Sequence, residues 1–361
     1  MEKLKVGIIG CGGVANGKHL PALKHIPEVE ITAFCDIIPE KAERAAKQFG
    51  TPDAKVYTDY RELLKDESIN NVRITTPNRC HAPIAIDAMR AGKHVLCEKP
   101  MAMNYAEAKQ MVEVQKETGC LLTIGYQHKF DADVIYAKKE AESGVFGEMY
   151  FAKANVMRRR GVPTWGVFTE KSEQGGGSLI DIGTHALDTV LYILGNYKPK
   201  MVMGTTYDKL KYQKEPANAS GPWNVDKYDV EDSGFGFIVM ENGATIILET
   251  STALNTTDEA GVRYMVCGTE AGVDNYGGKF KINGVKHNKQ YIIEPDLSTG
   301  GVPNYGYAHN NAVEEQRTFI NAILGKGELV TKPEEAAVVA QILDGIYTSA
   351  ETGRAYYFNE E

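Results

Sequence analysis

Asp181 and His185 stand four residues apart in Gly175-Gly176-Gly177-Ser178-Leu179-Ile180-Asp181-Ile182-Gly183-Thr184-His185. On a helix that spacing puts both on one face, with Asp188 close to it. An imidazole titrates near neutrality when unperturbed, so it is suited to shuttle the proton of an alcohol. A neighbouring carboxylate would orient it and favour the imidazolium. The plain alternative is a polar helix face that happens to carry Asp and His. The glycine run weighs against that, because glycine ahead of a helix lets another group approach closely. A second chemical group is Glu98-Lys99-Pro100. An ammonium at the end of a strand can hydrogen-bond a substrate oxygen, and Pro100 bars helix continuation. A surface Lys–Glu pair is the ordinary reading of such a triplet. The third is Thr75-Thr76-Pro77-Asn78-Arg79-Cys80-His81. Loops at the carboxyl ends of strands line the crevice of a doubly wound sheet, so Asn78 and His81 can face a cofactor there. Capping of a helix by Asn78, with His81 exposed, carries equal weight.

These groups need a cofactor, and Gly10-Cys11-Gly12-Gly13-Val14-Ala15 supplies a place for one. The run fits G-x-G-x-x-G/A between a strand and a helix, with Asp36 closing the next strand. Gly10 permits a tight turn, Gly12 lets backbone approach a pyrophosphate, and Ala15 lets helix and strand pack. Amides at the helix start, Gly13 and Val14 included, would face the phosphates. The Asp36 carboxylate would accept from the adenosine ribose and repel a 2′-phosphate, so NAD is expected over NADP. The competing reading is a glycine-rich turn in an ordinary α/β fold with Asp36 at a solvated strand end.

The positioning elements follow from periodicity. Strands are expected at Lys5–Ile9, Ile31–Cys35, Asn71–Thr75, His94–Cys97 and Leu121–Gly125. Helices fall between them, among them Pro39–Phe49, His81–Ala91 and Tyr105–Glu117. That alternation predicts a parallel sheet covered on both faces. Beyond residue 126 the pattern changes. A helix is expected over Ser178–Leu194, and then strands dominate. Ser233–Met240 and Ala244–Thr252 flank Asn242-Gly243, and Phe280–Ile282 and Val285–His287 flank Asn283-Gly284. Each pair reads as a tight hairpin. Residues 208–230 read as a long surface loop, and helices at His309–Leu324 and Pro333–Thr352 close the chain.

Composition narrows the function classes. The 361 residues suggest two domains. A net charge of −8 argues against nucleic acid and anionic membranes as partners. No apolar run is long enough to span a bilayer, and the first residues read as a strand rather than a leader. The six cysteines form no CxxC pair. They are expected as free thiols in a reducing cytosol, with no metal site.

Taken together, these residues resemble the Gfo/Idh/MocA oxidoreductase family, which includes glucose–fructose oxidoreductase and inositol dehydrogenase. The resemblance rests on the Gly10–Ala15 turn, Thr76-Pro77-Asn78 with His81, and the stretch from Gly92-Lys93-His94-Val95 to Glu98-Lys99-Pro100. Asp181-x-Gly183-x-His185 and the closing Tyr347-x-Ser349-Ala350-x-x-Gly353-Arg354 complete it. It implies an α/β Rossmann N-terminal domain over 1–125. An α+β domain with a large, mostly antiparallel sheet over 126–361 would bind substrate and drive oligomerisation. The last helix, about 333–352, is a candidate to pack back on the first domain. The resemblance also implies that Lys99 and His185 carry catalysis while Asp181 assists or contacts substrate. Thr76, Pro77, Asn78, His81, Glu98 and Lys99 would then join Gly10, Gly12, Gly13, Val14 and Asp36 around NAD. Many members have Arg before the Phe that follows the last Rossmann strand, and here Gln127-His128-Lys129-Phe130 has Lys129. Tyr126 and His128 beside it are candidate substrate residues. Arg158-Arg159-Arg160-Gly161-Val162-Pro163-Thr164-Trp165-Gly166 looks like the substrate-facing segment of a branch acting on sugars and glycosides, 3-dehydrogenases of glycosides among them. Arg158, Arg160 and Trp165 would shape a sugar pocket, and a solvated strand face is the equal alternative. Three functions stay open. One is a cytoplasmic NAD-dependent dehydrogenase of a sugar, glycoside or cyclitol. The second is an enzyme that retains NAD for transhydrogenation or oxidation–elimination. The third is a non-catalytic NAD sensor. A homodimer or homotetramer is expected.

Overall fold

The computed structural model describes residues 3–297 and 310–358. The chain divides into two units, the first holding residues 1–130 and 310–337, the second 131–309 and 338–361. In the first unit β1 (Leu4–Ile9), β2 (Val29–Cys35), β3 (Lys55–Tyr57), β4 (Asn71–Ile74), β5 (His94–Cys97) and β6 (Leu122–Ile124) form one sheet. Its order is β3-β2-β1-β4-β5-β6, and every pairing is parallel. The order reverses at β1, which places the Gly10 turn and the β4 loop side by side at the carboxyl ends of adjacent strands. Val6, Ile8, Val72, Ile74, Val95 and Leu96 are fully buried, as strands covered on both faces require.

The helix Asn311–Ile323 was expected with the second domain but belongs to the first unit. Its Val313 and Ile320 share a core with Leu20, Leu23 and Val29, so apolar burial overrides chain order. The helix Pro333–Thr352 begins in the first unit and runs on into the second.

Among the described residues, the second unit is built on nine strands: β7 (Met149–Met157), β8 (Pro199–Tyr207), β9 (Ser233–Met240), β10 (Thr245–Ser251), β11 (Ala260–Gly268), β12 (Ala271–Asp274), β13 (Lys281–Lys286), β14 (Lys289–Ile293) and β15 (Tyr356–Tyr357). They run in the order β14-β13-β12-β11-β7-β10-β9-β8-β15, and only β7 and β10 pair in parallel. One face buries Ala154, Ile238, Leu248 and Tyr264 completely. The helix Thr184–Leu194 packs there, on β7 and β11. On the other face Met203, Phe237, Ile247, Lys153 and Met265 lie in register across five strands. Met203 and Phe237 on that face are 50% and 45% exposed.

The Asn242-Gly243 hairpin forms, with Gly243 at φ +88°. The second hairpin differs from the sequence reading. Asn283-Gly284 lies inside β13, and the turn falls at His287-Asn288, with φ of +52° and +62°. Gly284 sits under the Tyr291 hydroxyl, 2.6 Å from where a Cβ would be, so its glycine serves close packing rather than a turn. The loop over 208–230 is present, but it buries Trp223, Tyr228 and Val230 against Val162 and Ala253. His309, the expected start of the penultimate helix, lies outside the described residues.

Candidate active site

The dinucleotide turn is held from both flanks. Gly10 N–H donates to Cys35 O at 2.8 Å, and Thr75 N–H donates to Ile9 O at 2.9 Å. Gly10 has φ +92°, and a Cβ there would lie 2.8 Å from the Thr75 carbonyl, so no other residue fits. Gly12 and Gly13 have open space where a side chain would be, which leaves their backbone accessible. Val14 is exposed and Ala15 is buried, as a turn opening into a packed helix demands. Asn16 Nδ2 donates to both Cys11 O and Gly12 O at 2.8 Å, fixing the turn from the helix side. Asp36 Oδ2 accepts from Cys11 N–H at 2.8 Å and Oδ1 from Ile38 N–H at 2.9 Å. The carboxylate thus braces the turn as well as standing at its rim. This arrangement fits a dinucleotide, with Gly12, Gly13 and Val14 at the phosphates and Asp36 at the ribose.

A carboxylate there costs NADP a close like-charge contact. Wild-type kcat/KM is expected to favour NAD over NADP, and Asp36→Ser to narrow the ratio. A wild-type preference for NADP in initial-rate assays would remove this role from Asp36.

The β4 and β5 loops are clamped together by His81. Its Nδ1 lies 2.7 Å from Pro100 O and its Nε2 2.9 Å from Thr76 O. The ring is buried, and burial lowers its pKa although both carbonyls favour the imidazolium. Both ring nitrogens are therefore engaged by backbone, so His81 ties Thr76 to Pro100 rather than reaching outward. Asn78 is buried in the short 3-10 turn Asn78–Cys80 that leads into the helix His81–Arg90. Glu98, also buried, accepts from Lys18 Nζ at 2.7 Å and pairs with His19 Nε2 at 2.8 Å. Its Oε2 accepts from Lys99 N–H at 3.1 Å. Burial opposes its charge, but the Lys18 ammonium and the His19 ring outweigh that and hold the carboxyl well below the usual range.

Tyr126, a candidate for substrate contact, is 1% exposed, and Lys129 Nζ lies 5.9 Å from the centre of its ring. Lys129 is wholly buried with its Nζ 3.9 Å from Glu335. His128 is half-buried on the same short turn.

In the second unit the sequence Gly175–His185 forms an unusual helix start. Leu179–Gly183 is a π-type turn, continued by the α-helix from Thr184. Such turns occur often at functional sites. The stretch Ala15–His19, just after the dinucleotide turn, is another. Asp181 and His185 are both half-buried and flank the junction of wide turn and α-helix. Asp181 borders a small hollow also lined by Val162, Pro163, Phe168, Thr169 and Thr252. Asp188 is 1% exposed and belongs to the packed side of the helix.

The glycines ahead of Asp181 do let a group approach closely. A Cβ on Gly176 would collide with the Tyr347 hydroxyl, and one on Gly177 with the Glu231 carbonyl oxygen. Glu231 Oε2 accepts from Gly177 N–H at 2.8 Å, and Oε1 accepts from Leu179 N–H at 2.9 Å and Tyr347 Oη at 2.8 Å. Burial pushes the Glu231 carboxyl upward, opposed by these donors. Sequence reasoning passed over Glu231 and gave Tyr347 no separate role. Both act on a segment more than fifty residues away in the chain, which no local pattern reveals.

Arg160 is committed to backbone and amide groups. Its guanidinium donates to Arg159 O at 2.6 Å, Leu254 O at 3.2 Å and Asn255 Oδ1 at 2.6 Å. It clamps a loop. Arg158 packs along Gly161 and reaches its carbonyl at 3.4 Å. Trp165 is 60% exposed and meets Phe168 edge-on at 6.0 Å, leaving a broad apolar face in solvent.

Two family models match the chain. An oxidoreductase family NAD-binding Rossmann fold, GFO_IDH_MocA, covers residues 4–126. The C-terminal alpha/beta domain of that oxidoreductase family covers residues 138–358. The chain is 33% identical over 350 residues to D-glucoside 3-dehydrogenase of Escherichia coli (strain K12), spanning 97% of this chain and 96% of that protein. It is 29% identical over 292 residues to levoglucosan dehydrogenase of Pseudarthrobacter phenanthrenivorans, spanning 76% and 73%. A crystal structure of an oxidoreductase domain protein from Kribbella flavida superposes with a TM-score of 0.87 at 22% identity, covering 100% of both chains, which shows the shared fold. No helix among the described residues is long and apolar enough to cross a membrane.

Proposed function

Because the chain belongs to the Gfo/Idh/MocA oxidoreductase family, whose NAD-binding and C-terminal models match nearly all of it, we propose that this NAD-dependent dehydrogenase oxidises the C3 hydroxyl of a glucoside. The observation that carries this reading is the 33% identity to a D-glucoside 3-dehydrogenase along 97% of the chain. NAD, when bound, supplies the hydride acceptor. The chain must supply the rest. His185 takes the hydroxyl proton as hydride leaves carbon, since a free alcohol is far too weak an acid to ionise first. Lys99 donates to the same oxygen and stabilises its developing negative charge. Asp181 orients His185 or binds a neighbouring hydroxyl, and Trp165 offers an aromatic face to the C–H surface of a sugar.

The test is a panel of free sugars, inositols and glycosides with NAD, followed at the NADH absorbance. Glucosides are expected to give the highest kcat/KM, and their 3-deoxy analogues none. Turnover of inositols above all glucosides would replace this reading with cyclitol oxidation.

We also propose that the open sheet face mates with a second copy of the chain. The exposed Met203 and Phe237, continued by Ile247 as far as the charged Lys153, support this, since exposed apolar patches mark contact surfaces. Light scattering is expected to give a multiple of 39.7 kDa at micromolar concentration, and Phe237→Glu to shift it toward that mass. A wild-type monomer overturns the assembly.

A further inference from the structure

We infer that Gln316, acting through His19, positions Glu98 and thereby the backbone of Lys99. The inference rests on the reading of Lys99 as the donor to the substrate oxygen. Every residue in the argument lies in the first unit.

The chain of hydrogen bonds has a fixed direction. It begins at Arg73, wholly buried on β4 with its guanidinium 4.8 Å from the centre of the Phe319 ring. Arginine is a donor only. Arg73 Nη1 donates to Asn71 Oδ1 at 2.6 Å and Nε to Gln316 Oε1 at 2.6 Å. Gln316 is fully buried, so its oxygen must face Arg73 and its amide nitrogen the other way. That nitrogen lies 3.0 Å from His19 Nδ1. An amide nitrogen only donates, so Nδ1 must accept, and the ring proton must sit on Nε2. Nε2 then donates to Glu98 Oε1 at 2.8 Å. An arginine two hydrogen bonds away thus decides the tautomer of His19.

The charges reach the same conclusion independently. The groups facing the cluster are Lys18, Arg73, Glu98 and Glu315. Lys18 Nζ bridges Glu98 at 2.7 Å and Glu315 at 3.0 Å. Two cations and two anions cancel, so a neutral His19 leaves the buried cluster without net charge. A charged ring would add an unpaired cation where Glu98, Glu315 and Gln316 are all nearly sealed from water. Lys18 already bridges the two carboxylates, Glu98 and Glu315, that with His19 are close enough to hold a metal ion.

Glu98 is consequently a fixed anion. Oε1 receives Lys18 and His19, and Oε2 receives Lys99 N–H. Gly125 makes room for the carboxylate, since a Cβ there would stand 3.1 Å from Oε1. The carboxylate does not carry protons; it pins the main chain from which the Lys99 side chain departs. Gln316 and Glu315 on the helix Asn311–Ile323 are therefore part of how Lys99 is placed, some two hundred residues before them in the chain.

The test pairs two substitutions at one position. Gln316→Leu removes both links of the relay. Gln316→Glu keeps the acceptor for Arg73 but presents a second acceptor to His19, so His19 must become an imidazolium that still donates to Glu98. With ¹⁵N-labelled histidine, and His19→Asn to assign the resonance, wild type is expected to show its proton on Nε2 and an unprotonated Nδ1 that accepts from Gln316. Gln316→Glu is expected to show a protonated Nδ1. Gln316→Leu is expected to lower kcat about tenfold with the Kd for NAD within twofold, and Gln316→Glu to keep more than half of wild-type kcat. A wild-type Nδ1–H tautomer, or equal kcat in the leucine and glutamate variants, overturns the relay. The tautomer is read without substrate, so a wrong substrate assignment leaves that arm of the test intact.

Discussion

Lys99→Ala and His185→Ala are each expected to lower kcat by about 10²–10⁴-fold, the usual contribution of one positioned acid–base or charge-stabilising group. The NAD affinity of both variants is expected to stay within a few-fold of wild type, because the turn that would hold the phosphates is braced by other residues. Gly10, Asn16 and Asp36 make that turn's hydrogen bonds, and none of them involves Lys99 or His185. The Lys99 backbone is anchored through its N–H to Glu98, a bond that truncating the side chain leaves in place. His185 sits on a helix whose far side carries the buried Ala186, Leu187, Val190 and Leu191, so the fold does not depend on its imidazole. Asp181→Asn is expected to be milder than either. Single-turnover kinetics with the preferred glucoside and fluorescence titration of NADH separate the two effects. Near-normal turnover by His185→Ala would remove the base assignment, and lost NAD binding in either variant would make its defect structural.

The first domain was legible because its strands are short apolar runs separated by strong stops. Pro39 and Gly50 bracket one helix, and Gly92 and Gly119, at φ +74° and +67°, follow two others. Strands covered on both faces are rich in Val, Ile, Leu and Cys, even with Asn71 and Arg73 buried on β4, and so they declare themselves. The second sheet was harder to read. β7 lies in its middle, yet Lys153 and Asn155 on the strand point toward the open face, and Lys153 pairs with Glu249 at 2.9 Å. That charge hid a central strand. The Asn283-Gly284 pair misled for a different reason. A dipeptide that favours a turn was used inside a strand because the Tyr291 ring needed the space, while His287-Asn288 accepted the positive φ angles. For the candidate site, the sequence proposes single residues where a motif fixes their spacing. Residues that act on the motif from afar were not legible in it. His19 meets Gln316 across almost the whole chain, and Glu231 reaches back to Gly177. Only the fold makes them neighbours.

Gly177→Ala is expected to cost about 3 kcal/mol or more of stability and to cut activity beyond that loss. The methyl group would meet the Glu231 carbonyl oxygen and lie 3.0 Å from Val230 Cγ2. A side-chain end could swing aside, but this obstacle is main chain, and it is tied down on both flanks. Asp232 N–H donates to Tyr207 O at 2.8 Å, and Thr252 N–H donates to Asp232 O at 2.8 Å. The segment holding Gly177 must therefore move instead. Its movement would stretch the bonds from Gly177 N–H and Leu179 N–H to the buried Glu231 carboxylate. A buried charge deprived of donors costs more than the bonds themselves. The same displacement would carry the π-type turn with Asp181, and with it the orientation of His185. Gly176→Ala provides the contrast, since its obstacle is the Tyr347 hydroxyl at the end of a side chain. Removing that hydroxyl with Tyr347→Phe relieves the closest approach, leaving ring Cζ 2.8 Å from the new methyl, at the cost of one donor to Glu231. Urea melts are expected to rank wild type first, then Gly176→Ala with Tyr347→Phe, and then Gly177→Ala. Glu231→Gln is expected near the last, because its amide would turn a donor toward Gly177 N–H or Leu179 N–H. An unchanged melting midpoint in Gly177→Ala would show that the glycine run is not what brings Glu231 against the start of the helix that carries His185.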